Sequence, residues 1–383
     1  MKVLYGARIF DGERLCDGCA LVVEGASILS LTRIEDRPRG GDQIDLGGGV
    51  LSPGFIDWQI NGGGGVLFNA NPTVEGIAAI AAAHRRAGAT AFLPTVVTDA
   101  PRVLAEALSA AREAQNRVPG ALGLHVEGPF IDPKRKGAHP AEFIRPMEQK
   151  DADALIGGRA GVMVVTLAPA SVPLERIARL ATAGIVVSLG HSDASADEAQ
   201  TVFDAGASAV THLYNAMSQL SSRAPGVVGA ALADPRIVCG LIADGEHAHA
   251  AAYRVALAAK GARGIALVSD AMSPAAGGPD VFELQGRRIR RVGSKLVTDD
   301  GTLAGAAITM RDAVDYVVHV LKVPLADALM MATLTPARLL GVDDRIGRLK
   351  PGYVADLVHL TDALEVADVW AGGRQLNEVD AAA

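Results

Sequence analysis

The chain has 383 residues, of which 49% are hydrophobic and 21% are charged, and its formal net charge is −7. This composition allows a large buried core and excludes a wholly disordered chain, while the length fits one large domain plus a minor one. The acidic balance gives no electrostatic footprint for nucleic acid. No apolar run reaches the roughly 18 residues of a membrane span, and the N-terminus lacks a signal-peptide pattern. We therefore expect a soluble cytoplasmic protein with no nucleic-acid or membrane partner.

The three cysteines are Cys16, Cys19 and Cys239. Cys16 and Cys19 have the Cys-x-x-Cys spacing of some redox and zinc sites, but no second cysteine pair follows them. We interpret all three as reduced thiols of a cytosolic protein.

The predicted elements begin with short strands that are separated by Gly, Asp and Pro. These strands are Lys2–Tyr5, Arg8–Phe10, Cys19–Glu24 and Ser27–Thr32. The last forty or so residues repeat the pattern, with strands at Ala355–Leu360 and Glu365–Ala371 around Pro351-Gly352. We therefore expect residues 1–50 and 343–383 to form one small β-sandwich domain from both termini.

Between the termini, helical and strand patterns alternate. Glu75–Ala87 is Ala-rich and ends at Gly88, the strand Thr90–Val97 follows, and Asp99 is the expected N-cap of a helix that runs to Asn116. Six further apolar runs are Leu122–Val126, Gly161–Leu167, Ile185–Leu189, Ala209–Leu213, Ile237–Ile242 and Gly264–Ser269. About eight such units favour a closed (β/α)8 TIM-like barrel over residues 51–342. Because periodicity alone does not show closure, a doubly wound open sheet is the alternative.

Polar residues stand at the ends of four of these strands. Glu127, His191 and Asp270 follow their strands and His212 lies near the end of its own. Catalytic groups of such a barrel come from the carboxyl ends of its strands. Two histidines and a carboxylate around an open position are a catalytic zinc ligand set, and a further carboxylate can act as general base. Four other histidines are assigned structural roles: His84, His249, His319 and His359.

The same residues carry a resemblance that runs in order over nearly the whole chain. The motifs are Pro53-Gly54-Phe55-Ile56-Asp57-Trp58-Gln59-Ile60-Asn61-Gly62, His125–Pro129, Gly190-His191-Ser192, Thr211-His212-Leu213-Tyr214-Asn215-Ala216-Met217, Ala243-Asp244-Gly245-x-His247, Ser269-Asp270-Ala271, Leu303-Ala304-Gly305 and Gly347-x-x-x-Pro351-Gly352-x-x-Ala355-Asp356. Together they resemble the N-acetylglucosamine-6-phosphate deacetylases of the amidohydrolase superfamily. The string from Thr211 to Met217 is the specific one, since the string from Pro53 to Asp57 alone indicates only an amidohydrolase.

The resemblance implies that Glu127, His191 and His212 bind the metal and that Asp270 is the acid/base. Many amidohydrolases hold a second metal with His-x-His after the first strand, where this chain has Gln59 and Asn61. We therefore expect one divalent metal per subunit, Zn²⁺ first, with Fe, Co or Mn as alternatives. Gln59, Asn61 and His125 are candidates for a weaker second metal position or for support of the site, and on an ideal strand His125 faces the same side as Glu127.

For the substrate, the resemblance implies N-acetyl-D-glucosamine 6-phosphate, hydrolysed to D-glucosamine 6-phosphate and acetate in amino-sugar catabolism and cell-wall recycling. The implied contacts are Ala138, His139, Asn215, Ala216, Arg223, His247, Leu303, Ala304 and Gly305. The counterpart of Arg223 is expected to act in the neighbouring subunit's site, which implies a homodimer. Lys134-Arg135-Lys136 could add attraction for the anionic substrate.

Three alternatives remain at this point. The first is a preference for N-acetylgalactosamine 6-phosphate, because no motif resolves the epimer. The second is another amidohydrolase acting on a cyclic amide, such as a dihydroorotase or an imidazolonepropionase-like enzyme, although these would keep the His-x-His pair. The third is a non-catalytic relative, which would have lost ligands that this chain retains.

Overall fold

A computed structural model describes residues 1–293, 295–299 and 301–376. The chain begins with seven strands: β1 (Lys2–Tyr5), β2 (Arg8–Phe10), β3 (Leu15–Cys16), β4 (Cys19–Glu24), β5 (Ser27–Arg33), β6 (Asp42–Asp45) and β7 (Val50–Pro53). Four of them form one sheet in the order β5-β4-β1-β6. Strands β2, β3 and β7 belong to a second sheet, which is completed by the other end of the chain.

The middle of the chain alternates strands and helices. Its strands are β8 (Phe55–Ile60), β9 (Gly62–Gly63), β10 (Val66–Leu67), β11 (Ala89–Val97), β12 (Gly123–Glu127), β13 (Val162–Leu167), β14 (Val186–Leu189), β15 (Ala209–Val210), β16 (Val238–Ile242) and β17 (Ile265–Val268). Its helices are α1 (Val74–Arg85), α2 (Pro101–Ala114), α3 (Gln149–Gly158), α4 (Leu174–Thr182), α5 (Ala196–Asp204), α6 (Gly226–Ala233) and α7 (Ala250–Lys260).

Eight parallel strands form the barrel, in the order β8, β11, β12, β13, β14, β15, β16 and β17. The ring is closed where the N–H groups of Asn61 and Gly62 both donate to the carbonyl oxygen of Ala271, each at 2.8 Å. The predicted (β/α)8 barrel is therefore confirmed, and the open-sheet alternative is wrong.

The barrel strands are buried on both faces, as the helices that surround a parallel sheet require. All six residues of β8 are buried, including the largest of them, Trp58. The indole packs so closely against Gly240 that a Cβ there would lie 2.7 Å from the Trp58 ring. The interior of the barrel is thus filled by side chains, which leaves its carboxyl end as the place for a site.

A four-stranded antiparallel sheet follows the last barrel strand, and the sequence patterns above do not predict it. Its strands are β18 (Val281–Leu284), β19 (Arg287–Val292), β20 (Lys295–Thr298) and β21 (Leu303–Ala306). This insert sheet is tied to the barrel mouth: Gln285 Nε2 donates to Asp99 Oδ2 at 3.0 Å, and Arg287 Nη2 donates to the carbonyl oxygen of Ala138.

The chain then runs through three helices and three strands: α8 (Met310–His319), α9 (Leu325–Ala332), α10 (Leu334–Leu339), β22 (Leu357–Leu360), β23 (Val366–Ala371) and β24 (Arg374–Gln375). The second terminal sheet has the order β24-β23-β22-β7-β2-β3 and so combines both ends of the chain. Leu4 and Leu21 of the first sheet share a buried cluster with Leu51, Leu357 and Trp370 of the second. The two sheets therefore pack face to face, as expected of a sandwich. Residues 377–383, within the predicted C-terminal part of this domain, lie outside the described residues.

Two local predictions are wrong. Asp99 is not the N-cap of α2: Ala100 holds that position, and Asp99 Oδ2 accepts hydrogen bonds from Asn69 and Gln285 instead. The strand predicted to reach residue 213 ends at Val210, and His212 has a φ of 32°. That left-handed backbone cannot continue a strand. No helix in the described part of the chain is both long and apolar enough to cross a membrane.

Candidate active site

Four polar side chains converge at the carboxyl end of the barrel. Glu127 is the last residue of β12, and His191, His212 and Asp270 each stand two residues beyond β14, β15 and β17. The last three have φ values of 46°, 32° and 47°. Such left-handed conformations in non-glycine residues are costly and tend to cluster at functional sites. All four side chains line one cavity of about 410 Å³.

Three of these side chains meet at one point. His191 Nε2 lies 3.1 Å from Glu127 Oε1, His212 Nε2 lies 3.0 Å from the same oxygen, and the two Nε2 atoms are 3.1 Å apart. All three residues are at most 5% exposed. Burial alone would raise the pKa of Glu127, but the two histidines against its carboxylate lower that pKa well below its usual range.

The tautomer of His191 shows that this cluster suits a cation. Its Nδ1 lies 2.9 Å from the carbonyl oxygen of Arg135, which can only accept, so Nδ1 carries the hydrogen. In the tautomer with its one hydrogen on Nδ1, the lone pair of Nε2 faces Glu127 Oε1, and two acceptors at that distance repel each other. A divalent cation held by both atoms removes the repulsion, and imidazole plus carboxylate is a ligand set that zinc accepts. The residues therefore fit a metal.

His139 lies beside the cluster. Its ring makes an edge contact with His191, with centroids 4.4 Å apart, and ligand atoms of Glu127, His139 and His191 lie within 4.8 Å of one another. His139 Nδ1 is 2.7 Å from Thr98 Oγ1, which leaves Nε2 for the cavity. Burial, and then the neighbouring His191, lower the pKa of His139 to about 3. His139 therefore stands beside the cluster and lines the same cavity.

Asp270 is held by two amides from β8 and its end. Asn61 Nδ2 donates to Asp270 Oδ1 at 2.7 Å, and Gln59 Nε2 lies 3.2 Å from the same oxygen. Gln59 Nε2 also contacts Glu127 Oε2 at 3.2 Å. Burial and the negative charge of Glu127 raise the pKa of Asp270 to about 6. The amides therefore occupy the place where an amidohydrolase with His-x-His would have imidazoles, and they donate to the carboxylates there.

His125 lies below the cluster, inside the barrel. Its Nδ1 is 3.1 Å from the carbonyl oxygen of Trp58, and its Nε2 is 2.7 Å from Thr166 Oγ1. The hydrogen bonds extend further: Thr211 Oγ1 lies 2.6 Å from Thr166 Oγ1 and 2.6 Å from Ser188 Oγ. Burial lowers the pKa of His125 to about 4, so the ring is neutral. Both of its nitrogens are used within this network, and His125 does not line the cavity.

The loop after β15 forms a polar corner of the cavity. Asn215 and Ala216 line the cavity, as does His247, which follows the adjacent strand β16. Left-handed residues alternate here, with φ values of 80° at Tyr214 and 50° at Ala216. Backbone of this kind turns successive N–H groups toward one side and makes an anion-binding concavity. No described residue accepts a hydrogen bond from the N–H of Ala216.

Most of the other expected contact residues also reach the cavity, namely Ala138, His139, Leu303, Ala304 and Gly305. Three of the expected residues do not line it: Arg223 is exposed in the loop before α6, Gln59 lies behind Asp270, and His125 lies inside the barrel. Sequence reasoning missed Met272, Leu284 and Gln285, which also line the cavity. The signal for the last two was the pair Gln285-Gly286, whose φ values of 52° and 77° make the two-residue turn of a hairpin.

Comparison with known proteins identifies the family. The sequence model of the Amidohydrolase family matches residues 50–376. An N-acetylgalactosamine-6-phosphate deacetylase of Shewanella sp. (strain ANA-3) is 39% identical over 100% of this chain and 98% of its own. An N-acetylglucosamine-6-phosphate deacetylase of Haemophilus influenzae is 35% identical over 93% of this chain and 94% of its own.

The structural comparison agrees. The crystal structure of N-acetylglucosamine-6-phosphate deacetylase from Pasteurella multocida covers 98% of this chain and 99% of its own, with a TM-score of 0.95 and 35% identity. Fold, sequence and the convergence of polar groups at the barrel mouth therefore lead to the same assignment. The chain belongs to the amidohydrolase family, in the branch of the N-acetylglucosamine- and N-acetylgalactosamine-6-phosphate deacetylases.

Proposed function

We propose that this chain hydrolyses the acetamide of N-acetyl-D-glucosamine 6-phosphate to D-glucosamine 6-phosphate and acetate. The observation that carries the proposal is that Glu127 with two histidines, the buried carboxylate of Asp270 and the left-handed backbone after β15 all face one cavity of about 410 Å³. A metal cluster with a carboxylate suits amide hydrolysis, and the backbone corner adds a place for the phosphate.

Glu127, His191 and His212 would hold one divalent metal, and zinc is the ion that we propose. When bound, the metal would lower the pKa of water toward about 7 and polarise the acetyl carbonyl. Gln59 and Asn61 favour a single metal, because an amide oxygen is a weaker ligand than the imidazoles of a His-x-His pair, and their nitrogens donate to the carboxylates of Glu127 and Asp270. His139, with Nε2 toward the cavity, would contact the substrate.

Asp270 would move the proton. Its Oδ1 is taken by Asn61 and Gln59, and no bond from a described residue reaches Oδ2, so Oδ2 is the atom that we assign to the proton. As the water oxygen bonds to the acetyl carbon, its proton goes to Oδ2. As the carbon–nitrogen bond breaks, the same proton goes to the leaving amine. One carboxylate serves both steps because they occur in sequence.

The phosphate would bind in the corner formed by Asn215, Ala216 and His247. The N–H of Ala216 and the ring of His247 provide donors, which an anion requires. Leu303, Ala304 and Gly305 on β21 line another part of the cavity and, with Ala138, would shape it around the sugar and its acetyl group.

A galactosamine substrate is the second candidate. The observation in its favour is the 39% identity to the Shewanella enzyme, whose name specifies N-acetylgalactosamine 6-phosphate. The two sugars differ only in the configuration of one hydroxyl group, so both would present the same acetamide and phosphate to the site.

We further propose that the active form is a homodimer. Arg223 is exposed and lies outside the cavity of its own subunit. A cation at this position could complete the phosphate corner of a neighbouring subunit, where it would form a charge-assisted hydrogen bond.

A deacetylation assay on four sugars tests the function: the gluco and galacto N-acetylhexosamines, each with and without the 6-phosphate. Metal content is measured on the same preparation. We expect turnover of phosphorylated substrates, with about one metal per chain, and a higher kcat/KM for the gluco epimer. A higher kcat/KM for the galacto epimer would favour the second candidate.

Equal rates with and without the 6-phosphate would remove the phosphate corner from the proposal. Absence of turnover on all four sugars, in a preparation that contains its metal, would overturn the assigned reaction.

A further inference from the structure

Asp244 and His247 form a hydrogen-bonded pair at the edge of the cavity. The proposed function gives a role to the His247 ring but none to Asp244. Asp244 Oδ2 lies 2.7 Å from His247 Nδ1, and the two side chains are 1% and 4% exposed. The carboxylate can only accept, so Nδ1 is the donor. No described residue forms a hydrogen bond with Nε2, the other ring nitrogen of His247, which is thus left for a ligand in the cavity that this residue lines.

The loop that carries the pair is fixed at several points. Asp244 Oδ1 accepts the backbone N–H groups of Glu246 and His247, at 2.8 and 2.9 Å. A Cβ at Gly245 would lie 2.8 Å from the ring of Tyr316, so the loop packs directly against this ring of α8. The position of the His247 ring is therefore set by its surroundings before any ligand binds.

The charge of Asp244 needs a partner. Burial by itself would raise its pKa, but the hydrogen bond and charge of His247 outweigh burial and lower that pKa. A buried carboxylate that keeps its charge is expensive unless it is paired. Tyr253 is near, but its hydroxyl donates to the carbonyl oxygen of Ile242. Among the described residues, His247 is the only one whose side chain forms a hydrogen bond with the Asp244 carboxylate.

We propose that Asp244 is a positioning residue that sets the preference of the enzyme for a phosphorylated sugar. It does so by holding His247 with Nε2 directed at the phosphate. This inference rests on the proposed function and deepens it. With phosphate bound, the imidazole would donate from Nδ1 to Asp244 and from Nε2 to the phosphate. The contact to phosphate is then a charge-assisted hydrogen bond, which is about twice as strong as a neutral one.

The test is Asp244→Asn. The amide keeps Oδ1 for the two backbone N–H groups, so the loop retains its turn, but its NH2 cannot accept from Nδ1 of His247. Steady-state kinetics are measured on N-acetylglucosamine 6-phosphate and on N-acetylglucosamine. Loss of one charge-assisted hydrogen bond should raise KM for the phosphorylated sugar about 10- to 100-fold. The kcat/KM ratio of phosphorylated to unphosphorylated sugar should fall by the same factor, with metal content unchanged.

Glu246→Gln is the matched control. It removes a carboxylate two residues away, in the same loop, that pairs with Lys295 and not with His247. Its kcat/KM ratio should stay within about twofold of the wild type, as expected of a partly exposed pair. Competitive inhibition by inorganic phosphate gives a second readout, and its Ki should rise in Asp244→Asn and not in Glu246→Gln.

A double-mutant cycle separates positioning from a purely structural role. In a His247→Gln background, Asp244→Asn should have little further effect on the kcat/KM ratio, because the two residues act as one unit. Independent, additive effects would overturn the inference. So would an unchanged ratio, or an equal loss on both substrates. If Asp244→Asn does not fold, Asp244→Ser, which keeps a hydroxyl acceptor for the turn, is measured instead.

The outcomes also distinguish the inference from the function on which it rests. If the wild type does not deacetylate the phosphorylated sugar, the proposed function fails first. If the wild type is active and selective and the variant keeps that selectivity, only the role of Asp244 fails.

Discussion

Asn61 donates from Nδ2 to Oδ1 of Asp270 over 2.7 Å, so the carboxylate is fixed through one oxygen only. Gln59 Nε2 approaches the same oxygen at 3.2 Å. The two oxygens of Asp270 therefore differ in role: one is held by amides at the end of β8, and the other remains for the proton. This asymmetry lets one carboxylate act first as base and then as acid without turning its side chain.

Replacement of Asp270 tests that role directly. Asp270→Asn keeps an oxygen for Asn61 and loses only the proton acceptor, so we expect metal content to stay unchanged. Turnover should fall about 10²- to 10⁴-fold, the range of general acid–base catalysis. The exposed Asp280, replaced by Asn, is the control and should keep wild-type kcat. Near-normal turnover of the Asp270 variant would remove this residue from the mechanism.

Asn61→Leu tests the positioning of Asp270. The side chain is similar in size but cannot donate, so Asp270 Oδ1 loses its shortest hydrogen bond. Hydrogen bonds to charged groups contribute about 1.5–3 kcal/mol, and we expect kcat to fall about 10- to 100-fold. Elemental analysis should show the same metal content as in the wild type. A loss of metal instead would place Asn61 in the metal site itself.

The metal cluster predicts a link between metal binding and stability. A metal that binds only the folded chain stabilises it, by about 4 kcal/mol at a concentration 1,000 times Kd. Chelation should therefore lower Tm and abolish turnover, and added Zn²⁺ should restore both. His212→Ala should lose the metal and show no change in Tm on chelation. His319→Ala, which removes a half-exposed histidine paired with Asp315, should behave like the wild type.

If Arg223 acts in the neighbouring subunit's site, two inactive variants should restore activity when their subunits are mixed. Arg223→Ala and Asp270→Asn are each expected to be weak or inactive alone. In a mixed dimer, the subunit with intact Asp270 receives Arg223 from its neighbour, and one of the two sites works. Mixing the purified variants should therefore restore activity toward N-acetylglucosamine 6-phosphate. A mixture no more active than its components would show that Arg223 does not act across an interface.

The buried carboxyl group of Asp356, in the terminal domain, should make the free energy of unfolding depend on pH. Burial raises its pKa to about 6, against the opposing effects of the Gly372 N–H and the charge of Arg85. Below about pH 4 both folded and unfolded chains hold the proton. Between about pH 4 and 6 the unfolded chain loses its proton first, so stability falls as pH rises, by at most about 3 kcal/mol, and the loss stays constant above this window.

Asp356→Asn removes that loss. Relative to the wild type, the variant should gain stability as pH is raised from 4 to 7, measured as the difference in urea midpoint or Tm at each pH. Asp362→Asn, a change at an exposed carboxylate in the same terminal domain, should show no such trend. A constant difference for Asp356→Asn across this range would contradict the shifted pKa.

The barrel and the candidate metal ligands could be predicted from the sequence because their signals are local. Apolar runs that follow glycines mark the strands. Because the strands are parallel, the residue that follows each run lies at the carboxyl end of the barrel. The pattern therefore predicts Glu127, His191 and Asp270 at the same end of the barrel. The apolar run that continues past His212 predicts a strand there, whereas the left-handed φ of 32° at His212 does not continue the strand, which ends at Val210.

The insert sheet and the Asp244–His247 pair could not be predicted in the same way. The strands from Val281 to Ala306 carry arginines and exposed valines, and their hydrophobic alternation is weak. Their place over the cavity depends on contacts such as Arg287 with Ala138, which no sequence period encodes. Asp244 lies within a quoted motif, but its role follows only from the 2.7 Å contact with His247.

The second terminal sheet has a consequence for folding during translation. Strand β7 leads through Gly54 directly into the barrel, yet its neighbour β22 lies beyond the whole barrel in sequence, and Pro53 pairs with Leu357. During translation the edge of β7 must remain unpaired until nearly the full chain has left the ribosome. An open strand edge is a template for aggregation, so the nascent chain should need chaperone protection late in synthesis. If translation stalls before β22, the unpaired edge of β7 should cause the partial chain to associate with other chains.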